Sequence, residues 1–147
     1  MKLIKDPEIL EQYRADESGV HGTPAAAVRP KSADEVVELV KECAADGTRL
    51  LPVGCQTATT GAAVPQDDVV VDLTRLSGVV DIDRDNMTAE VLPGTITYDL
   101  KQAVQAEGLY YPPDPTSEKE STIGGNVAAN ASGARTFRWG MTSAWVE

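Results

Sequence analysis

Two stretches of this chain are made of residue types that let a ligand come close to the backbone. The first, residues 54–65, reads GCQTATTGAAVP and follows a short apolar run at 49–53. A phosphate site needs successive backbone N–H groups that converge on one point, with side chains too small to fill it. Gly54 and Gly61, with Thr57, Thr59 and Thr60 between them, meet both conditions. The second stretch, residues 122–135, is chiefly Gly, Ala, Asn, Ser and Thr. Gly124 and Gly125 are free to take positive φ, and the run 126–131 is placed to start a short helix whose free amides point back at them. That arrangement suits a phosphate or an electron-rich ring. Each stretch also fits a plainer reading: a strand-to-strand turn for the first, a small-residue surface loop for the second. The pair says more than either alone. Two such loops, separated by a hairpin and a helix, suit a ligand too long for one cradle, and a dinucleotide has that length.

Several chemistries are disfavoured at the same time. The first loop lacks the lysine of GxxxxGK[ST], and no GxGxxG occurs, so neither an NTPase loop nor the nicotinamide fingerprint is present. His21 is the single histidine. A multi-histidine metal site therefore has no ligands in this chain, and no metal site is expected. Cys43, in an apolar helical pattern, and Cys55, in a loop, lack metal-ligand spacing and fit a reducing compartment, so the reading is of a cytoplasmic protein without a disulfide. The net charge of −10, from 23 acidic and 13 basic residues, argues against nucleic acid and against an anionic membrane surface as partners. No apolar run reaches the length of a membrane span and no signal-peptide pattern opens the chain.

The elements that must hold these loops are legible in outline. In 147 residues, about one domain, 41% hydrophobic with 5% aromatic, the core is aliphatic. A short helix is expected after Asp6, with Pro7 in its first turn and Ile9, Leu10 and Tyr13 on one face, as a lid on the domain edge. A loop then runs into a short strand near Ala27 and Val28. Ser32 with Glu35 forms a capping box for a helix over 32–46, with Val36, Leu39, Val40 and Cys43 turned to a sheet and Gly47 as its stop. Strands follow at 49–53 and 69–73. Residues 79–82 and 87–92 make a hairpin, and Thr97 caps a helix carrying Leu100 and Val104 that ends at Gly108. Nothing in 28–140 has the composition of a linker. The fold class is α+β, a small mixed sheet flanked by helices.

Taken in order, PKSADEVVELVKECAADGTRLLPVG (30–54), TGAAVP (60–65), VVVDLTRLSGVVDID (69–83), AEVLPG (89–94), YPPDP (111–115) and TIGGNVAANASGARTFRWG (122–140) resemble the FAD-binding domain of the vanillyl-alcohol oxidase and p-cresol methylhydroxylase superfamily. The branch most similar is the FAD-linked oxidases that include glycolate oxidase and the D-lactate dehydrogenases. The resemblance runs from about Ala27 to the last residue and implies the N-terminal part of a PCMH-type domain: residues 1–26 as a lead-in, residues 27–147 as an FAD-binding domain incomplete at its C-terminal end. It implies FAD as cofactor. Gly54, Cys55, Gln56, Thr57, Ala58, Thr60, Gly61, Ala62 and Ala63 would wrap the pyrophosphate, and Pro115, Thr116, Thr122, Gly124, Gly125, Asn126, Ser132 and Gly133 would line the cofactor from the other side.

The chain departs from that family in two ways. Loops of this branch commonly read Arg-Gly-Gly-Gly-Thr, where this chain has Val53, Gly54, Cys55, Gln56 and Thr57, so two glycines have gained side chains. Gln56 could donate to a phosphate oxygen where glycine offers only its amide. No histidine is present in the loop for a covalent flavin bond, and Cys55 is the one other residue available for such a link. Family members continue into a substrate-binding cap and a C-terminal region that carry the active-site residues. The parent activity implied is oxidation of a 2-hydroxy acid such as glycolate or D-lactate by hydride transfer to FAD, with the substrate reaching it through the missing cap and with partner subunits possible. The catalytic residues are not assigned. Two other readings stand beside it: a noncatalytic FAD-binding fragment or module, and a flavoenzyme of the alkyl-dihydroxyacetone-phosphate synthase type.

Overall fold

A computed structural model describes residues 2–147 and divides them into two compact units, the first ending at Leu76 and the second beginning at Ser77. That division falls where composition marks no linker. In the first unit β1 (Ala26–Val28), β2 (Leu50–Val53) and β3 (Val69–Asp72) form a parallel sheet in the order β1-β3-β2. All four residues of β3 are buried, as a central parallel strand covered on both faces requires. One face, with Ala26, Val28, Val69 and Val71, packs against Leu39 and Cys43 of α2 (Ala33–Asp46). The other, with Ala27, Val53 and Val70, packs against Tyr13, Ile4 and Leu10. The N-terminal segment, carrying α1 (Pro7–Glu11), therefore covers a sheet face and is not a lid at the domain edge.

The capping box of α2 is present: Ser32 Oγ accepts from the Glu35 amide at 3.2 Å, and the Glu35 carboxylate reaches back to the Lys31 amide at 2.7 Å. Gly47, at φ 77°, closes the helix in the left-handed region. The expected apolar stripe is narrower than its spacing suggested. Leu39 and Cys43 are buried, but Val40 is 49% exposed, because a three-stranded sheet offers too little width to cover both sides of the helix. Ile9 of α1 is likewise exposed, while Leu10 and Tyr13 pack inward.

In the second unit β4 (Val79–Asp83) and β5 (Thr88–Val91) pair antiparallel, with a register shift between Val79 and Asp81. The parallel and antiparallel pairings thus lie in two separate sheets. Asp83 fixes the turn: its Oδ1 accepts from the amides of Asp85 and Asn86. Helix α3 (Thr97–Ala106) lays Leu100 and Val104 on the inward residues of the hairpin, with Ile123 of α4 (Ile123–Ala128) completing the cluster. Thr97 does not cap α3. It is its first residue and fully buried; its hydroxyl accepts from Asn126 Nδ2 at 2.6 Å and lies within bonding distance of Ser121 Oγ and the Ser121 carbonyl, so it joins α3 to α4 through a satisfied polar network. A short α5 (Thr136–Trp139) and a 3-10 turn (Thr142–Trp145) end the chain.

Candidate functional site

Because the three strands of the first unit are parallel, their carboxyl ends open on one edge, the place where ligands of open α/β sheets bind. Arg29 follows β1, residues 54–56 follow β2, and Thr74 and Arg75 follow β3. Together with Tyr13 and Asp72 they line a cavity of about 400 Å³. Its floor is the buried Asp72 carboxylate. Oδ1 accepts from the Thr74 amide (3.0 Å) and hydroxyl (2.5 Å), and Oδ2 accepts from Tyr13 Oη (2.7 Å) and Arg29 Nε (3.0 Å). Burial alone would raise this carboxyl. The Thr74 hydroxyl, the Tyr13 hydroxyl, the Thr74 amide and the Arg29 charge outweigh it and hold the group below the ordinary aspartate value. Burial, reinforced by the bond to Asp72, pushes the Tyr13 phenol up to about 12. Asp72 is fully occupied and offsets one of the two guanidinium groups.

The unused groups point to an anion. Among the described residues, the backbone amides of residues 55–60 donate to no protein acceptor, and Arg75 makes no hydrogen bond or ion pair. Arg29, which lines the cavity, makes its hydrogen bonds to protein through Nε alone, so its terminal nitrogens have no protein acceptor among the described residues. The amides of Cys55 and Gln56, in a loop leaving a parallel strand and lining one cavity with two guanidinium groups, make a concentration of positive potential on a chain of net charge −10. A pyrophosphate has the charge and the acceptors to satisfy them. Sequence reasoning misses both arginines; the available signal is a cation at the end of each of two apolar runs, Arg29 directly after Val28 and Arg75 two positions after Leu73.

One expectation for this loop changes. Gln56 does not aim its carboxamide at a ligand: Nε2 donates to Ala15 O (3.0 Å), Tyr13 O (3.2 Å) and Ala63 O (3.2 Å), so it is committed to the protein's own backbone. Cys55 is a free, exposed thiol whose pKa is raised, first by partial desolvation and then by the Asp72 charge. It is held protonated at neutral pH, which makes it a poor nucleophile for a covalent flavin link.

In the second unit the glycines serve a different purpose from the one their composition suggested. Helix α4 starts at Ile123, not at Asn126, and includes both Gly124 and Gly125, neither of them at positive φ. Its first amides are already taken. Ile123 N donates to Thr95 O (2.8 Å), Gly124 N to Pro93 O (2.8 Å) and Gly125 N to the capping Thr122 hydroxyl (3.2 Å). What Gly124 and Gly133 supply is absence of a side chain: a Cβ on Gly124 would stand 2.7 Å from Pro93 Cβ, and one on Gly133 only 1.6 Å from Asp114 O. Thr122, Asn126 and Pro115 are buried, whereas Thr116, Gly125 and Ser132 are exposed and Gly124 and Gly133 half-buried. Asp114 is anchored from two sides, by Lys101 at 2.6 Å and Arg135 at 3.3 Å, so the 111–115 segment is fixed against the loop that carries Gly133.

Residues 24–147 match the family described as FAD binding domain. The chain belongs to that family. As an FAD binding domain it is 38% identical over 146 residues to glycolate oxidase subunit GlcD of Bacillus subtilis, covering 99% of this chain and 30% of the relative. It is 34% identical to D-lactate dehydrogenase of Anaerostipes hadrus (99% and 31%) and 35% identical to D-2-hydroxyglutarate dehydrogenase of Stutzerimonas stutzeri (99% and 32%). A solved structure of alkyldihydroxyacetonephosphate synthase superposes with a TM-score of 0.83 at 26% identity, over 95% of this chain and 28% of that one. The chain thus spans about a third of the length of the proteins it resembles. Among the described residues, no helix is long and apolar enough to cross a membrane.

Proposed function

We propose that this FAD binding domain holds the cofactor of an oxidoreductase that converts a 2-hydroxy acid to the 2-oxo acid. The observation that carries the binding half of this reading is the run of amides at 55–60 without a protein acceptor, in a loop whose first residues, 54–56, line one cavity with Arg29 and Arg75 at the carboxyl edge of a parallel sheet. In this reading Gly54, Cys55, Gln56, Thr57, Ala58, Thr60, Gly61, Ala62 and Ala63 form the pyrophosphate loop, with the backbone of Gln56 and not its side chain engaged. Pro115, Thr116, Thr122, Gly124, Gly125, Asn126, Ser132 and Gly133 contribute further to cofactor binding, the buried Thr122 and Asn126 by shaping the backbone around them. The domain, in this proposal, occupies residues 27–147 after a lead-in of residues 1–26.

The reaction class is supported by the relatives named for glycolate, D-lactate and D-2-hydroxyglutarate, which share a 2-hydroxy acid group. Bound flavin supplies an acceptor for the hydride that leaves C2. The hydroxyl proton goes to a base outside the residues described. The two free thiols fit a reducing compartment such as the cytoplasm. A second reading, a flavoenzyme of the alkyl-dihydroxyacetone-phosphate synthase type, is favoured by the structural likeness to alkyldihydroxyacetonephosphate synthase.

Anaerobic addition of glycolate, D-lactate or D-2-hydroxyglutarate to the FAD-loaded, full-length protein is expected to bleach the flavin spectrum with at least one of the three. No bleaching by any of them would favour the synthase reading. The phosphate assignment has its own test. Arg75→Gln should raise the Kd for FAD about tenfold at low salt and flatten its salt dependence, as loss of one exposed phosphate contact does. An unchanged Kd would remove Arg75 from the site.

A further inference from the structure

The loop that offers its amides at 55–60 carries a feature that costs free energy. Gln56 sits at φ 53°, in the left-handed region where a residue with a Cβ is strained by about 1–2 kcal/mol. A glycine would hold that backbone without strain. The side chain must therefore return something, and its bonds show what. The three carbonyls that Nε2 faces belong to two places: Tyr13 and Ala15 in the N-terminal segment, and Ala63 at the far end of the same loop. One carboxamide thus pins the start of the loop to its end and pins both to a neighbouring strip of chain.

A buried carboxylate lies near the far end of the loop. Asp16 is 8% exposed; its Oδ1 accepts from the Ser18 amide at 2.9 Å, while Oδ2 makes no hydrogen bond of normal geometry. Burial would raise this carboxyl, yet the Ser18 hydroxyl and amide and the nearby amides of Ala63 and Gly61 hold it below its ordinary value, so a negative charge is kept beside the loop's closing residues. The strip is held by hydrogen bonds of its own. Tyr13 is clamped by Asp72 and Arg29, and Gly22 N donates to Arg14 O at 2.7 Å. Residues 13–16 lie outside the 24–147 stretch that matches the family.

We infer that Gln56 and the strip Tyr13–Asp16 act as a template for the phosphate loop. The Gln56 side chain acts by positioning: it touches no ligand, and it sets the backbone amides of residues 55–60 in a fixed array before the ligand arrives. This rests on the reading that the loop takes the pyrophosphate of FAD, and it adds that affinity depends on preorganisation by a segment outside the family domain. A fixed array avoids the ordering cost that a free glycine-rich loop meets on binding.

Two substitutions separate the template from its alternatives. Gln56→Gly keeps the left-handed backbone and removes the ties. Gln56→Glu keeps the shape but turns a carboxylate oxygen toward three carbonyls. Each variant of the full-length protein is titrated with FAD and with riboflavin, which has the ring but no phosphate, and its cofactor-free melting temperature is recorded. Both variants are expected to raise the Kd for FAD about tenfold or more through lost preorganisation, and to leave riboflavin binding within about twofold. Gln56→Gly should melt within a few degrees of the parent, since it relieves strain as it loses bonds. A Gln56→Gly protein that binds FAD as tightly as the parent overturns the proposal. Equal weakening of FAD and riboflavin also overturns it, by showing general damage. If the parent itself binds no FAD, the pyrophosphate reading fails first and takes the template with it.

Discussion

Replacing Gly133 with alanine should destabilise the second unit by about 3 kcal/mol or more, as overpacking against a fixed backbone does. The added methyl would stand 1.6 Å from the Asp114 carbonyl oxygen and 2.4 Å from its carbon, so one of the two segments must move. Gly133 is not at positive φ, so the effect is steric and not conformational. Movement of Asp114 is opposed by its ion pairs with Lys101 and Arg135. Lys101 is also bound to Glu118 at 2.5 Å, and these two acids outweigh its burial to raise its pKa, which keeps the cation charged and the segment held. Gly125→Ala is the control. Its Cβ would meet only the Thr122 hydroxyl, at 3.1 Å, inside a helix where alanine is favoured over glycine by about 1 kcal/mol. Denaturant unfolding of both variants checks the contrast. Similar midpoints for Gly133→Ala and the parent would mean that the 111–115 segment yields freely.

The second large effect belongs to Asp72. Asp72→Ala leaves Arg29 Nε and the Tyr13 hydroxyl without their shared acceptor, in a site where the aspartate side chain is only 9% exposed, and should cost about 3 kcal/mol. The cost sits at the lower end for a broken buried pair because the Arg29 side chain, 29% exposed, recovers some hydration. The intact site also predicts a pH profile. The Asp72 carboxyl is held below the value of 3.8 that it has when unfolded, so its stabilisation is complete above that value and is lost as pH falls through the lower folded-state pKa. Tyr13 works from the other side. Its phenol is raised from 10.0 to about 12, so its contribution is complete below pH 10 and is lost as pH rises toward 12. Stability measured across pH should therefore show an acid limb that Asp72→Asn flattens and an alkaline limb that Tyr13→Phe flattens. Limbs of unchanged size in both variants would place the titrating groups elsewhere.

What was legible in the sequence is what short-range chemistry decides. The α2 cap follows from Ser32 and Glu35, the hairpin from alternation around the turn at residues 84–86, and both small-residue loops from their composition, because these features depend on residues a few positions apart. The ordered set of motifs also carried the family and its cofactor, which the match over residues 24–147 bears out. What only the tertiary structure decided is the use to which those residues are put. Gly124 and Gly133 look the same as ligand-facing glycines in sequence, and only the approach of Pro93 and Asp114, from 31 and 19 positions earlier, shows that they make room for the protein's own backbone. Gln56 looks like a phosphate donor until Tyr13 and Ala15 arrive from more than forty positions away to take its hydrogens. Arg29 and Arg75 are ordinary surface cations until parallel pairing brings the ends of β1, β2 and β3 to one edge. Composition fixes which groups a backbone can carry close to a ligand. Which of those groups stay unpaired is settled by long-range contacts, since a donor is free only when nothing distant in the chain has folded back to meet it.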